Sequence, residues 1–200
     1  MIPVYFDCEF TELSRRGTLI SIGLIDEWSH TFYAEFTDYD DDHLSDWVKE
    51  NVIAKLKLKD GTFNRLIATD DNVPDIEMCG DSEKIKKALG LWFQEILLHN
   101  YKVHGSEEPI QFYTDCYAYD WMLFCELMWG NGFDIPSTFS YIPIDLSTAL
   151  WADNIDPDYS REKYAGILPD DDIEKHNALW DTKIIRQCFY ELRGEIPREE

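Results

Sequence analysis

Acidic residues stand at three distant places in this chain: Asp7 and Glu9 in VYFDCEF, Asp120 in YAYDW, and Asp181 with His176 in HNALWD. Carboxylates are hard oxygen donors, and a set of this kind suits two divalent cations such as magnesium or manganese. The run Ile2 to Phe10 reads as a strand. Alternate side chains of a strand point to opposite faces, so Tyr5, Asp7 and Glu9 share one face and Val4, Phe6, Cys8 and Phe10 the other. Two carboxylates placed side by side repel each other and resist desolvation, so they do not serve stability. A bound cation removes that difficulty. A solvated edge strand is the plainer alternative, and the apolar residues on the other face speak against it.

Asp120 opens a helical run, where a lone Asp is ordinarily an N-cap. Asp115, at the end of the preceding strand, can reach the same side of the sheet and competes with it. His176 and Asp181 are five positions apart, which on a regular helix turns them about 140° from one another. His176 is therefore expected at the loop-to-helix junction, leaning back over the face that carries Asp181. Taken alone, a His at such a point serves the surface or a cap.

The elements that must position these residues follow from periodicity. Ile2 to Phe10, Thr18 to Asp26 and Ser29 to Phe36 read as an antiparallel meander of three strands. A short helix is expected in Leu44 to Ile53, with loops around Asp60-Gly61 and Asp70 to Pro74. Asp81 is the N-cap of a core helix in which Ile85, Leu89, Trp92, Phe93, Ile96 and Leu97 recur at helical spacing through Leu98. Ile110 to Tyr113 is a fourth strand, Trp121 to Met128 a buried helix, and Ser140 to Asp145 a fifth strand. From Asn177 the chain turns helical, with Ile184, Ile185, Cys188, Phe189 and Leu192 on one stripe and Gly194 and Pro197 as the stop. This order predicts an α/β fold, one mixed five-stranded sheet covered by helices.

With 200 residues, 44% of them hydrophobic, the chain can bury a sizeable core, and no linker or repeat divides it. Five scattered cysteines without CxxC spacing imply reduced thiols and no zinc site. Neither a signal peptide nor an apolar run of membrane-spanning length is evident, which leads to the expectation of a soluble cytoplasmic protein with no membrane partner. Forty Asp and Glu against 18 Lys and Arg give a net charge of -22, a field that repels polyanions. Bound divalent cations invert that sign locally. One segment is locally basic, with Lys49, Lys55, Lys57, Lys59 and Arg65, and suits either a phosphate backbone or solvent. The acidic runs Asp38 to Asp42 and Asp170 to Asp172 read as exposed loops without calcium-loop spacing.

The motifs DCEFTEL with LISIGLI, DCYAYD and HNALWD together resemble those of the DEDDh branch of 3′→5′ exonucleases. DWVKENVIAKL, YDWMLFCELM and IPIDLS resemble the bacterial RNase AS-type exoribonucleases. The resemblance implies an RNase H-like fold made by residues 1–200 as one exonuclease domain. It makes Asp7, Glu9, Asp120 and Asp181 the ligands of two Mg²⁺ or Mn²⁺ ions and His176 the general base. Asp7 would bridge the ions, about 3.5 to 4 Å apart in such sites, and RNA would be cut from its 3′ end to nucleoside 5′-monophosphates. Phe10 and Thr11, directly after the first pair of acids, and Tyr117 and Trp121, flanking the middle motif, are the candidate RNA contacts, by stacking on bases or bonding the 3′ end. A homodimer is implied as well. The middle motif departs from the common form, with Asp115-Cys116 where His-Asn is frequent. Two rival readings remain: a 3′→5′ exonuclease acting on DNA or very short oligonucleotides, and an acidic interaction protein on a nuclease fold.

Overall fold

The computed structural model describes residues 1–42, 44–66, 73–115, 117–167 and 175–194. The meander forms as expected, with β1 (Ile2–Phe10), β2 (Leu19–Asp26) and β3 (Thr31–Phe36) paired antiparallel in sequence. Their boundaries fall within one or two residues of the turn signals. Next come α1 (Asp46–Asn51), capped by the Ser45 hydroxyl, and a 3-10 turn at Ile53–Lys55. The following segment corrects the sequence reading. The chain turns at Asp60-Gly61 as expected, and on either side of the expected loop from Asp70 to Pro74 it makes two strands that the reading did not foresee, β4 (Phe63–Leu66) and β5 (Asp75–Gly80), the latter parallel to β3. Part of the expected loop from Asp70 to Pro74 lies outside the described residues.

α2 (Ser82–His104) starts at the Asp81 cap, whose carboxylate accepts from the Lys84 N–H, and ends at Gly105 in the left-handed conformation. β6 (Ile110–Thr114) runs parallel to β1 and leads into α3 (Tyr117–Trp129). The strand expected over Ser140 to Asp145 shrinks to β7 (Ile144–Asp145). After it come α4 (Leu146–Ala152), α5 (Arg161–Tyr164) and α6 (Ala178–Arg193). The sheet is thus mixed and seven-stranded, in the order β4-β5-β3-β2-β1-β6-β7, rather than five-stranded. With helices on its faces, this is an α/β architecture consistent with the RNase H-like fold.

Strand alternation decides what each face carries. Val4, Phe6 and Cys8 of β1 join Phe32, Phe112 and the α2 residues Leu89, Trp92 and Phe93 in the larger core cluster. Tyr5 points the other way, into the cluster formed by Ile184, Ile185, Cys188 and Phe189 of α6. Asp7 and Glu9 share that second face. Burying the α6 stripe against Tyr5 and the α4 residues Leu146 and Leu150 contributes roughly 1.5 to 3 kcal/mol per large side chain.

Gly23 sets how closely α6 approaches. A Cβ on Gly23 would meet the carbonyl of Ala178 at 2.5 Å, and Thr182 donates its hydroxyl to the Gly23 carbonyl at 3.0 Å. Gly23 is the register partner of Asp7. The first turn of α6 is therefore pressed onto the sheet beside the acidic residues of β1. Among the described residues, no helix is long and apolar enough to cross a membrane.

Candidate active site

Three elements deliver the acids. β1 carries Asp7 and Glu9 on its α6 face, and its register against β2 shifts between Glu9 and Phe10, where the strand ends. The parallel neighbour β6 hands over to α3, whose first turn carries Asp120. The first turn of α6 carries Asp181. Asp7, Glu9, Asp181 and His176 line one cavity of about 380 Å³, together with Asp115, Lys175 and the segment Asp158 to Glu162.

His176 occupies the helix junction with a left-handed backbone, φ 66°. A non-glycine residue there is strained by roughly 1 to 2 kcal/mol. The Asp181 carboxylate holds it, accepting the His176 N–H at 2.8 Å. Asn177 caps α6 by accepting the Trp180 N–H. In this arrangement the imidazole Nδ1 lies 3.8 Å from a Glu9 oxygen. One potential ligand atom from each of Glu9, His176 and Asp181 lies within 4.8 Å of the others.

The electrostatics are those of crowded, dehydrated acids. Burial, then the charges of Asp120, Asp181 and Glu9, push the Asp7 carboxyl well above its usual range. Glu9 is pushed up to about 8 by burial and by Asp181 and Asp120, with Lys55 opposing. Asp181 is raised to about 7 by burial, against the pull of the His176 N–H. Burial, with the positive charges of Lys55 and Lys175, lowers His176. The crowded carboxylates offer the hard oxygen donors that magnesium and manganese take, with one imidazole nitrogen beside them.

The two middle acids part company. Asp120 is almost fully buried and accepts the Thr114 hydroxyl at 2.7 Å, and its charge bears on both Asp7 and Glu9. Asp115 lines the cavity but is engaged by Arg161 and Ser147. Of the four residues named as RNA contacts, Thr11 and Trp121 are buried. Phe10 stacks on Tyr119 with ring centroids 5.8 Å apart, at the end of the acidic strand. The Thr11 hydroxyl accepts the Thr18 N–H and closes the β1–β2 connection. Tyr117 is half exposed, while Trp121 is buried among Phe6, Phe112 and Phe124.

Sequence reasoning passed over Trp47. Its ring stands edge-on to His176 with centroids 5.0 Å apart, yet it is 53% exposed. The available signal was its place in the DWVKENVIAKL run that carries the resemblance. Lys55, noted within the basic segment, donates its ammonium to the carbonyl of Lys175, a residue that lines the cavity.

The chain is 25% identical over 179 residues to two proteins of Mycobacterium tuberculosis, one from strain CDC 1551 / Oshkosh and one from strain ATCC 25618 / H37Rv. Each is named a 3′-5′ exoribonuclease, and the match covers 90% of this chain and 86% of theirs. No family model matches.

Proposed function

We propose that this protein is a metal-dependent 3′→5′ exoribonuclease that releases nucleoside 5′-monophosphates. The observation that carries the reading is the convergence of Asp7, Glu9 and Asp181, with Asp120 behind them, on one cavity beside His176. The distant relatives named as 3′-5′ exoribonucleases support the same activity and RNA as substrate.

Asp7, Glu9, Asp120 and Asp181 would hold two Mg²⁺ or Mn²⁺ ions. When bound, such ions neutralise phosphoryl charge and favour deprotonated water. The rest falls to the protein. His176, kept neutral at neutral pH by burial and by the nearby lysines, accepts the proton of the attacking water on an imidazole nitrogen. The water oxygen bonds to phosphorus, the P–O3′ bond breaks, and the leaving O3′ takes up a proton from solvent, so the shortened RNA carries a 3′ hydroxyl. Trp47 offers a ring beside His176 for the terminal base, since stacking tolerates any base. Lys55 supplies positive charge close enough to act on His176 and Glu9 in an acidic molecule. Phe10 and Tyr119 offer a second stacked surface one residue beyond Glu9. The homodimer belongs to the same proposal, and sedimentation at working concentrations tests it.

Degradation of 5′-labelled and 3′-labelled RNA with and without manganese tests the activity. The expected result is a ladder from the 5′ label, immediate monophosphate from the 3′ label, and no reaction in chelator. Internal cleavage, or no cleavage at all, would overturn it. Matched DNA oligomers decide between RNA and DNA.

A further inference from the structure

The face of the sheet that carries the acids continues into a second buried polar row. Asp7, Gly23 and Tyr33 are register partners across β1, β2 and β3, as are Glu9, Ser21 and Glu35. Glu35 is 2% exposed and Tyr33 5%. A carboxylate buried that deeply is costly unless its oxygens are satisfied, and here they are. Oε1 accepts the Tyr33 hydroxyl and the Lys57 N–H, both at 2.8 Å, and Oε2 accepts the Leu58 N–H at 3.0 Å. Tyr33 in turn accepts a hydrogen bond from the Asn177 side-chain amide at 3.1 Å.

The chain of bonds joins the segment that follows Lys55 to the residue beside His176. On one side, Glu35 fastens the segment that follows Lys55. On the other, through Tyr33, it reaches the residue next to His176, which also caps the helix of Asp181. Neither Tyr33 nor Glu35 lines the cavity. We infer that Glu35 and Tyr33 are positioning residues that set His176 and Lys55 relative to the acids of β1. The inference rests on the nuclease reading above. Its physical basis is that the strained His176 backbone needs support on both sides. Asp181 supplies one bond, to the backbone N–H, and Tyr33 supplies the other through Asn177.

The test is steady-state RNA hydrolysis by Tyr33→Phe, Asn177→Ser and the double variant, with thermal midpoints and manganese affinity measured alongside. Phe keeps the ring, and Ser keeps the helix cap while being too short for Tyr33. Each single change should lower kcat by about tenfold to a hundredfold, the scale of a displaced reacting group, with KM and manganese affinity little altered. The double variant should fall no further than either one, because all three break the same link. Wild-type kcat in Tyr33→Phe, a loss explained by unfolding, or additive losses in the double variant would overturn the inference while leaving the nuclease reading intact. An inactive wild-type protein would defeat both.

Discussion

Arg161 clamps Asp115 with two hydrogen bonds, Nε to Oδ2 and Nη2 to Oδ1, each 2.8 Å long. The same guanidinium donates to the Ser147 hydroxyl and to the carbonyls of Pro157 and Tyr159. Asp115 is thereby committed to holding the outer wall of the cavity, a bidentate use of a carboxylate that leaves little capacity for a cation. Asp120 is buried, accepts the Thr114 hydroxyl at 2.7 Å, and bears with its charge on both Asp7 and Glu9. Asp115→Asn is expected to cost about 1 to 3 kcal/mol of stability and to leave turnover close to wild type. Asp120→Asn is expected to lower turnover by at least about a hundredfold. The reverse ranking, measured as kcat on RNA, would exchange the two roles.

The stability of the metal-free protein should fall with rising pH. The carboxyls of Asp7, Glu9 and Asp181 are all raised in the folded state, Glu9 to about 8 and Asp181 to about 7, while unfolded carboxyls titrate near ~4. Between those limits the folded protein binds more protons than the unfolded chain, so each rise in pH favours unfolding. Below about pH 4 the penalty is absent. Thermal midpoints in chelator should drop from pH 5 to pH 8, and Glu9→Gln should flatten the slope. A midpoint that rises over this range would contradict the electrostatics described.

Metal should reverse that loss. At pH 7.5, magnesium or manganese at about 100 times its dissociation constant should add ~2.7 kcal/mol. Asp7→Asn should remove the gain, and differential scanning fluorimetry measures both.

His176→Ala should keep the metal-dependent stabilisation and lower kcat by about a hundredfold to ten-thousandfold. Burial lowers the imidazole, so the acid limb of the wild-type kcat profile should lie below the ordinary His value of ~6.5. The variant should lack that limb. Loss of metal binding in His176→Ala would show that the imidazole has another role.

Trp47→Ala should raise KM for RNA by the worth of a stacked base, about 1 to 3 kcal/mol, without lowering the thermal midpoint. The ring is largely exposed, so removing it leaves no cavity. An unchanged KM would assign the base contact elsewhere.

Much of the frame was legible in the sequence because the alternation of β1 already separates Asp7 and Glu9 from Val4, Phe6 and Cys8. Asp81 announces its helix by cap chemistry. The placement of His176 followed from rotation alone, since only a residue outside the helix can return to Asp181. β5 was missed although Asp75 to Met78 alternate as a half-buried strand does, because only four residues carry the alternation, and β4 because all four of its residues are exposed. α2 outruns the expected end at Leu98 because Leu98, Tyr101 and Val103 face solvent and break the stripe. The Asp115–Arg161 clamp joins residues 46 positions apart. No local pattern encodes such a pair, and the same holds for Trp47 against His176.

Manganese calorimetry at pH 7 in two buffers of different ionisation enthalpy tests the central claim most directly. Glu9, raised to about 8, and Asp181, raised to about 7, should bind the ion only by giving up protons, so the wild type should bind manganese and release protons to the buffer. Asp7→Asn should do neither. Binding without proton release, or equal binding by Asp7→Asn, would mean that the cation sits elsewhere and that the acids of β1 and α6 do not form its site.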